Sequence, residues 1–315
     1  MKIVLLESLA VSNDYLEKYI KELEAKGHMF ESFEKSADVA TQIEQSKDAD
    51  VIIIGNMPLS GDVIRANKNL KFIDVAFTGV DHVDLAAAKE MGVAISNASG
   101  YANQAVAELV LGKIFNLLRN ISKTEVECRK GRTMVDLRGS ELRGKTVGIV
   151  GYGAIGAKTA EMCHLLGCNI IAFDEFERED VPSYVAYKSL EEVMSESDIV
   201  SLHCPLLPST TNLINVERIA MMKPTAFLIN AARGPVVNSE ALADALNNDR
   251  IKGAGIDVFE IEPPLNTDHP LLLAKNTIVT PHIAFASDES MQRRAKIVFE
   301  SLNSWISGKQ INKII

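Results

Sequence analysis

Cysteine, histidine and tryptophan are scarce in this chain, with four, six and one residue respectively among 315. The cysteines, Cys128, Cys163, Cys168 and Cys204, form no CxxC pair, and Cys163 and Cys168 flank the apolar "HLLG". That spacing speaks against a disulfide framework or a thiolate metal site, and predicts buried free thiols in a reducing compartment, the cytoplasm. The histidines make no HExxH pair and no tight cluster, so metal catalysis is disfavoured and no metal is expected. Neither a GxSxG nor a P-loop pattern occurs. There is no uninterrupted apolar run of 18 residues, and the opening "MKIVLLESLAVSNDYL" is broken by Glu7, so it reads as a first strand and not as a signal peptide or membrane span. Lysine and arginine number 33 against 42 acidic residues, giving a net charge of -9, and they are scattered. Neither nucleic acid nor an anionic membrane is therefore an expected partner.

What is present is a long, regular alternation. The length of 315 residues exceeds the usual range of one core, so two domains are expected. In the first region, "KIVLLE" (2 to 7), "ADVIII" (49 to 54), "LKFIDVAF" (70 to 77) and "GVAIS" (92 to 96) read as strands, with a helix over 13 to 26. Short apolar runs spaced by helices need both sheet faces covered, so this is a small parallel α/β domain. One long helix is expected from Tyr101 to about Arg129, apolar on several faces and suited to a core or a subunit contact. Six more strands follow, at 146 to 150, 169 to 173, 198 to 202, 226 to 230, 253 to 257 and 276 to 280. They predict a second doubly wound parallel sheet with ligands beyond its carboxyl ends. A last helix, from about Asp288 to Trp305, is expected to return to the first domain.

"VGIVGYGAIG" supplies Gly151, Gly153 and Gly156 as GxGxxG between a strand and a helix, the context that makes this pattern a dinucleotide site. Gly151 serves the tight turn, Gly153 the close backbone approach to a pyrophosphate, and Gly156 the helix–strand packing, with amides at the helix start receiving phosphate charge. Asp174 stands eighteen residues after Gly156 at the end of the next strand. There it binds ribose hydroxyls and repels a 2'-phosphate, which favours NAD over NADP; Arg178, four residues on, tempers that preference.

Three chemically distinct groups fall just beyond strand ends: Arg233 in "FLINAARGPVVN", Glu262 in "DVFEIEPPL" and His282 in "TPHIAFAS". An arginine fork matches a carboxylate and polarises an adjacent carbonyl. The histidine can give a proton to a carbonyl oxygen as hydride arrives from a nicotinamide, and the glutamate, if bonded to the other ring nitrogen, fixes the ring. The implied reaction interconverts a 2-oxo acid and a 2-hydroxy acid. Asp257 either orients the nicotinamide carboxamide or caps a turn. His203, also at a strand end, is given no chemical step. Each residue also has a bland reading as a turn or ion-pair residue, and a non-catalytic NAD(H)-sensing regulator is the competing class.

"GKTVGIVGYGAIG", "SLHCPLLPSTTNLIN", "NAARGPVVNSEAL", "GAGIDVFEIEPP" and "TPHIA", in this order, resemble the successive signatures of the D-isomer-specific 2-hydroxyacid dehydrogenases. The resemblance spans essentially the whole chain. It implies a flavodoxin-like substrate-binding domain from residues 1–99 plus 286–315, a Rossmann NAD-binding domain over 100–285, and a homodimer. It also implies a catalytic set of Arg233, Glu262 and His282. NAD contacts are implied at Gly151, Gly153, Ala154, Ile155, Gly156, Asp174, His203, Pro205, Ala231, Asp257 and Ala284. Substrate contacts are implied at Phe77, Thr78, Gly79 and Tyr101, with Arg233 and His282. Ala284 replaces the glycine usual after "HI", adding a methyl near the nicotinamide pocket. Where phosphoglycerate dehydrogenases commonly carry an arginine, this chain has Val75, which favours a non-phosphorylated acid of glyoxylate, hydroxypyruvate or pyruvate type over the phosphoglycerate alternative. Tyr101 matches a substrate-facing tyrosine of D-lactate dehydrogenases. The twenty-residue step from Glu262 to His282 instead matches the glycerate, hydroxypyruvate and phosphoglycerate branches.

Overall fold

The structure, a computed structural model, describes residues 1–133, 136–261 and 265–315. Glu262, Pro263 and Pro264 lie outside the described residues, as do Met134 and Val135. The chain divides into two compact units, Met1–Ala102 with Ala286–Ile315, and Asn103–Phe285.

In the first unit, strands β1 (Lys2–Leu5), β2 (Met29–Ser32), β3 (Val51–Ile54), β4 (Phe72–Val75) and β5 (Ala94–Asn97) pair in parallel in the order β2-β1-β3-β4-β5. Helices α1 (Asn13–Ala25), α2 (Val39–Gln45), α3 (Gly61–Ala66) and α4 (Leu85–Glu90) make the crossovers. This order is the flavodoxin-like one. The central strands β3 and β4 are buried at every residue, as covered parallel strands must be. Asp74 breaks that apolar rule inside β4. It is completely buried, and neither carboxyl oxygen has a hydrogen-bond partner among the described residues. Burial pushes its pKa well above the ordinary carboxyl range, with the nearby Ser301 hydroxyl opposing.

The second unit opens with α5 (Asn103–Arg119) and α6 (Ile121–Arg129). Its strands are β6 (Thr146–Val150), β7 (Asn169–Phe173), β8 (Val185–Tyr187), β9 (Ile199–Leu202), β10 (Phe227–Asn230), β11 (Gly253–Ile256) and β12 (Thr277–Val279). All are parallel, in the order β12-β11-β10-β9-β6-β7-β8, and the strand order reverses beside β6, as in a Rossmann sheet. Between them lie α7 (Ala154–Leu165), α8 (Leu190–Glu196), α9 (Val216–Met221), α10 (Ser239–Asn247) and α11 (Pro270–Leu273). The last helix, α12 (Asp288–Ile306), belongs to the first unit, where Trp305 stacks on Phe72 at 4.7 Å and Phe299 on Tyr19 at 4.6 Å.

Three expectations need correction. The single helix over 101 to 129 is two helices, broken at Asn120, which takes φ +52°. Asparagine tolerates this left-handed conformation. The break is fixed because the returning loop takes the helix-end carbonyl: Ser140 N–H donates to Leu118 O at 2.9 Å, and Asn120 Nδ2 to Leu137 O at 3.2 Å. Second, the sheets gain β2 and β8, edge strands whose "MFES" and "VAY" carry no apolar run to reveal them. Third, Cys163, Cys168 and Cys204 are buried, but Cys128 is exposed, because α6 buries none of its side chains.

No helix among the described residues is long and apolar enough to cross a membrane.

Candidate active site

The glycine loop follows β6. Gly151 sits at φ +94°, where L side chains are strained, and its N–H donates to Phe173 O at 2.8 Å. A Cβ there would stand 2.5 Å from the Cys204 backbone nitrogen, and one on Gly156 would collide with Gly151 O. The first and third glycines are therefore demanded by the protein itself. Gly153 differs: an added Cβ meets nothing within 4 Å. Its lack of a side chain leaves open the space over the N-terminus of α7, where Gly153 offers no side-chain cap to the first-turn amides, which include those of Ala154 and Ile155. Open space before uncapped amides suits a pyrophosphate.

Asp174, after β7, holds this loop from the other side. Its Oδ2 accepts the Tyr152 N–H at 2.7 Å and its Oδ1 the Phe176 N–H at 3.0 Å. Arg178 is engaged elsewhere, forked onto Asp180 by Nε at 3.1 Å and Nη2 at 3.0 Å. The moderating role expected of Arg178 toward a 2'-phosphate would thus require that pair to open. A cavity of about 390 Å³ lies here, lined by Tyr152, Ala154, Lys158, Arg178, Asp180 and Tyr184 among others.

His203 follows β9. Its Nε2 lies 2.9 Å from Ser201 Oγ, while Nδ1 is buried without a partner among the described residues. Burial pushes its pKa down to about 4, so the ring is neutral at physiological pH and unsuited to be the proton donor. A buried orphan ring nitrogen fits a hydrogen-bonding group of a bound cofactor. Pro205, nearby, is exposed, and its carbonyl accepts the Thr210 hydroxyl at 2.6 Å.

Beyond β10, the Asn230 side chain folds the turn that presents Arg233. Its Oδ1 accepts the Ala232 N–H and its Nδ2 donates to Arg233 O, both at 3.0 Å. Ala231 and Arg233 are half-buried, and Arg233 Nη1 donates to Ala232 O at 2.8 Å. Gly234 follows because nothing larger fits: a Cβ there would overlap the Phe259 carbonyl.

Beyond β11 and β12, Asp257 organises the loop bearing His282. The completely buried carboxylate accepts the Thr280 hydroxyl and the Ile283 N–H (3.1 Å) on Oδ1, and the Ala284 N–H (2.8 Å) on Oδ2. The His282 N–H donates to Asp257 O at 2.7 Å, and the histidine sits at φ +55° with its ring edge-on to Phe285 at 5.4 Å. Of the two readings of Asp257, turn capping describes these bonds; a nicotinamide carboxamide would have to share an already occupied carboxylate. Ala284 is buried. The expected carboxylate partner of the histidine, Glu262, lies outside the described residues.

Arg233, Asp257 and His282 thus stand beyond the carboxyl ends of β10, β11 and β12, at the same edge of the sheet as the glycine loop beyond β6. Residues 111–284 match the family described as D-isomer specific 2-hydroxyacid dehydrogenase, NAD binding domain. The chain belongs to this family. This D-2-hydroxyacid dehydrogenase is 32% identical over 323 residues to a hydroxypyruvate reductase of Blautia hydrogenotrophica, covering 100% of this chain and 99% of the relative. It is 35% identical to a glycerate dehydrogenase of Methylorubrum extorquens, covering 91% and 92%. Among solved structures, an acyclic imino acid reductase (Bsp5) in complex with NADPH and D-Arg superposes with a TM-score of 0.92 at 28% identity, over 100% of both chains. The enzyme is an NAD-dependent oxidoreductase acting on a CH–OH group.

The first-unit residues expected to contact substrate follow β4 and β5. Phe77 is buried, and Thr78 and Gly79 are half-buried; Thr78 O accepts Asn97 Nδ2 at 2.6 Å. Tyr101 is 1% exposed, its ring 6.1 Å from that of Phe77 and 5.9 Å from the Arg294 guanidinium, while Arg293 Nε donates to its carbonyl at 3.0 Å. Two residues of the second unit that no motif marks, Lys113 and Thr280, bond to one another and to the Asp257 system. The available signal for the first was a lone lysine inside "LVLGKIFNLL".

Proposed function

We propose that this dehydrogenase reduces a small, non-phosphorylated 2-oxo acid of the hydroxypyruvate or glyoxylate type, with Arg233, Glu262 and His282 as its catalytic set. The observation that supports this is the placement of Arg233 and His282 on separate turns at the carboxyl edge that also carries the glycine loop. Bound NADH supplies the hydride. Arg233 grips the substrate carboxylate through parallel donors and polarises the neighbouring carbonyl. His282 delivers the proton to the carbonyl oxygen, and Glu262, assigned from its place in the sequence, orients the imidazole. Substrate contacts on the first unit are assigned to Phe77, Thr78, Gly79 and Tyr101 from the resemblance of those segments. The choice against a phosphorylated acid rests on Val75, the completely buried last residue of β4, which offers no cation.

A spectrophotometric scan of 2-oxo acids tests the reading. Hydroxypyruvate or glyoxylate should be consumed with NADH in preference to NADPH, since Asp174 meets a 2'-phosphate with like charge. Fastest turnover of a phosphorylated acid would transfer the enzyme to the phosphoglycerate branch, and binding of NADH without turnover of any acid would favour a sensor. We also propose a homodimer built on α5 and α6, whose Phe115, Ile121 and Val126 are exposed at 37%, 50% and 46%. Light scattering should then give twice the chain mass of 34.4 kDa, and a monomer in solution would reject it.

A further inference from the structure

Lys113 is the one charged side chain that α5 buries, at 2% exposure among Val110, Leu111, Ile114 and Leu117. Its stem lies along Gly255, where a Cβ would come within 3.0 Å of the Lys113 Cβ, so the strand makes room for it. Its Nζ donates to Ile256 O at 3.0 Å, to Ile278 O at 3.4 Å and to Thr280 Oγ1 at 2.6 Å. Burial pushes its pKa down to about 8, with attraction from Asp257 opposing. Taking an ammonium out of water costs several kcal/mol, and an apolar residue of similar volume is often neutral or stabilising at such a place. Helix packing alone therefore does not account for the charge.

The geometry of donors does. An ammonium is donor-only, so where it meets Thr280 the hydroxyl must act as acceptor, and the single hydroxyl proton is turned toward Asp257. Asp257 in turn receives the Ile283 and Ala284 amides and, through its own carbonyl, the His282 N–H. We propose that Lys113 is a positioning residue for proton transfer: acting through Thr280 and Asp257, it fixes the loop that holds His282 in its left-handed conformation. This rests on the reading of His282 as proton donor.

The test is a cycle of Lys113→Met, which keeps the stem and removes the ammonium, Thr280→Val, which removes the hydroxyl, and the double variant. His282→Asn is measured in parallel. Each single variant should lower kcat about 10- to 100-fold, the scale of a displaced catalytic group, with KM and NADH affinity, read by fluorescence titration, little changed. The double variant should be no worse than the worse single one, because both cut the same line. Wild-type kcat in Lys113→Met, multiplicative losses, or a loss confined to NADH affinity and melting temperature would each overturn the proposal. Should Lys113→Met fail to fold, Thr280→Val decides alone: a kcat-specific loss supports the line, and an unchanged kcat removes it. If His282→Asn stays active, the catalytic reading itself falls; if it is inactive while Lys113→Met is not, only the positioning role falls.

Discussion

Replacing His282 with asparagine is expected to lower kcat by about 10²- to 10⁴-fold, the contribution of a positioned general acid, while leaving NADH binding in place. Asparagine is the informative choice because of the backbone. His282 sits at φ +55°, with its N–H on Asp257 O at 2.7 Å and Thr280 O at 3.1 Å. Asparagine visits the left-handed region readily, whereas alanine would add backbone strain of about 1 kcal/mol or more and confuse a lost proton with a lost loop. An amide preserves hydrogen bonding but has no proton to give near neutral pH. Steady-state rates combined with fluorescence titration of NADH check the result. Turnover within about tenfold of wild type would mean the proton comes from another group.

Gly234→Ala should be nearly as damaging, for a reason of space alone. Its Cβ would overlap the carbon and oxygen of the Phe259 carbonyl and crowd the Glu260 nitrogen. These are backbone atoms, which cannot rotate aside, and Phe259 is anchored in the core at 6% exposure. The turn must therefore move, and Arg233 moves with it. Overpacking of this kind costs about 1–3 kcal/mol, and a guanidinium shifted by about an ångström costs on the order of a hundredfold in kcat/KM. Thermal melts and kcat/KM together check this. A variant that melts and turns over like the parent would show that the turn has slack the packing does not suggest.

These cases show what was legible from residues alone. The glycine loop could be read because the turn at Gly151, the opening at Gly153 and the packing at Gly156 are local demands within six residues. The placing of Arg233 and His282 followed from topology, since parallel strands send every following residue to one edge. The edge strands β2 and β8 could not be found, because strands with little apolar surface to bury leave no apolar run. Nor could the break at Asn120, which is set when a loop some twenty residues on donates the Ser140 N–H to the helix-end carbonyl of Leu118. The engagement of Arg178 by Asp180, two residues on, is a matter of side-chain geometry that residue spacing does not fix. Lys113 has no motif signature in the sequence because helical periodicity says which face is buried, not that an ammonium on that face will find two strand carbonyls and the Thr280 hydroxyl just beyond β12.

The solitary acid at position 74 gives the first unit an unusual sensitivity. Because its proton is retained on folding but released by the unfolded chain above the free carboxyl value of 3.8, the penalty is nil in strong acid and grows as the medium becomes more basic. Rising pH, from the free carboxyl value upward, is thus the direction that works against the sheet built around β4.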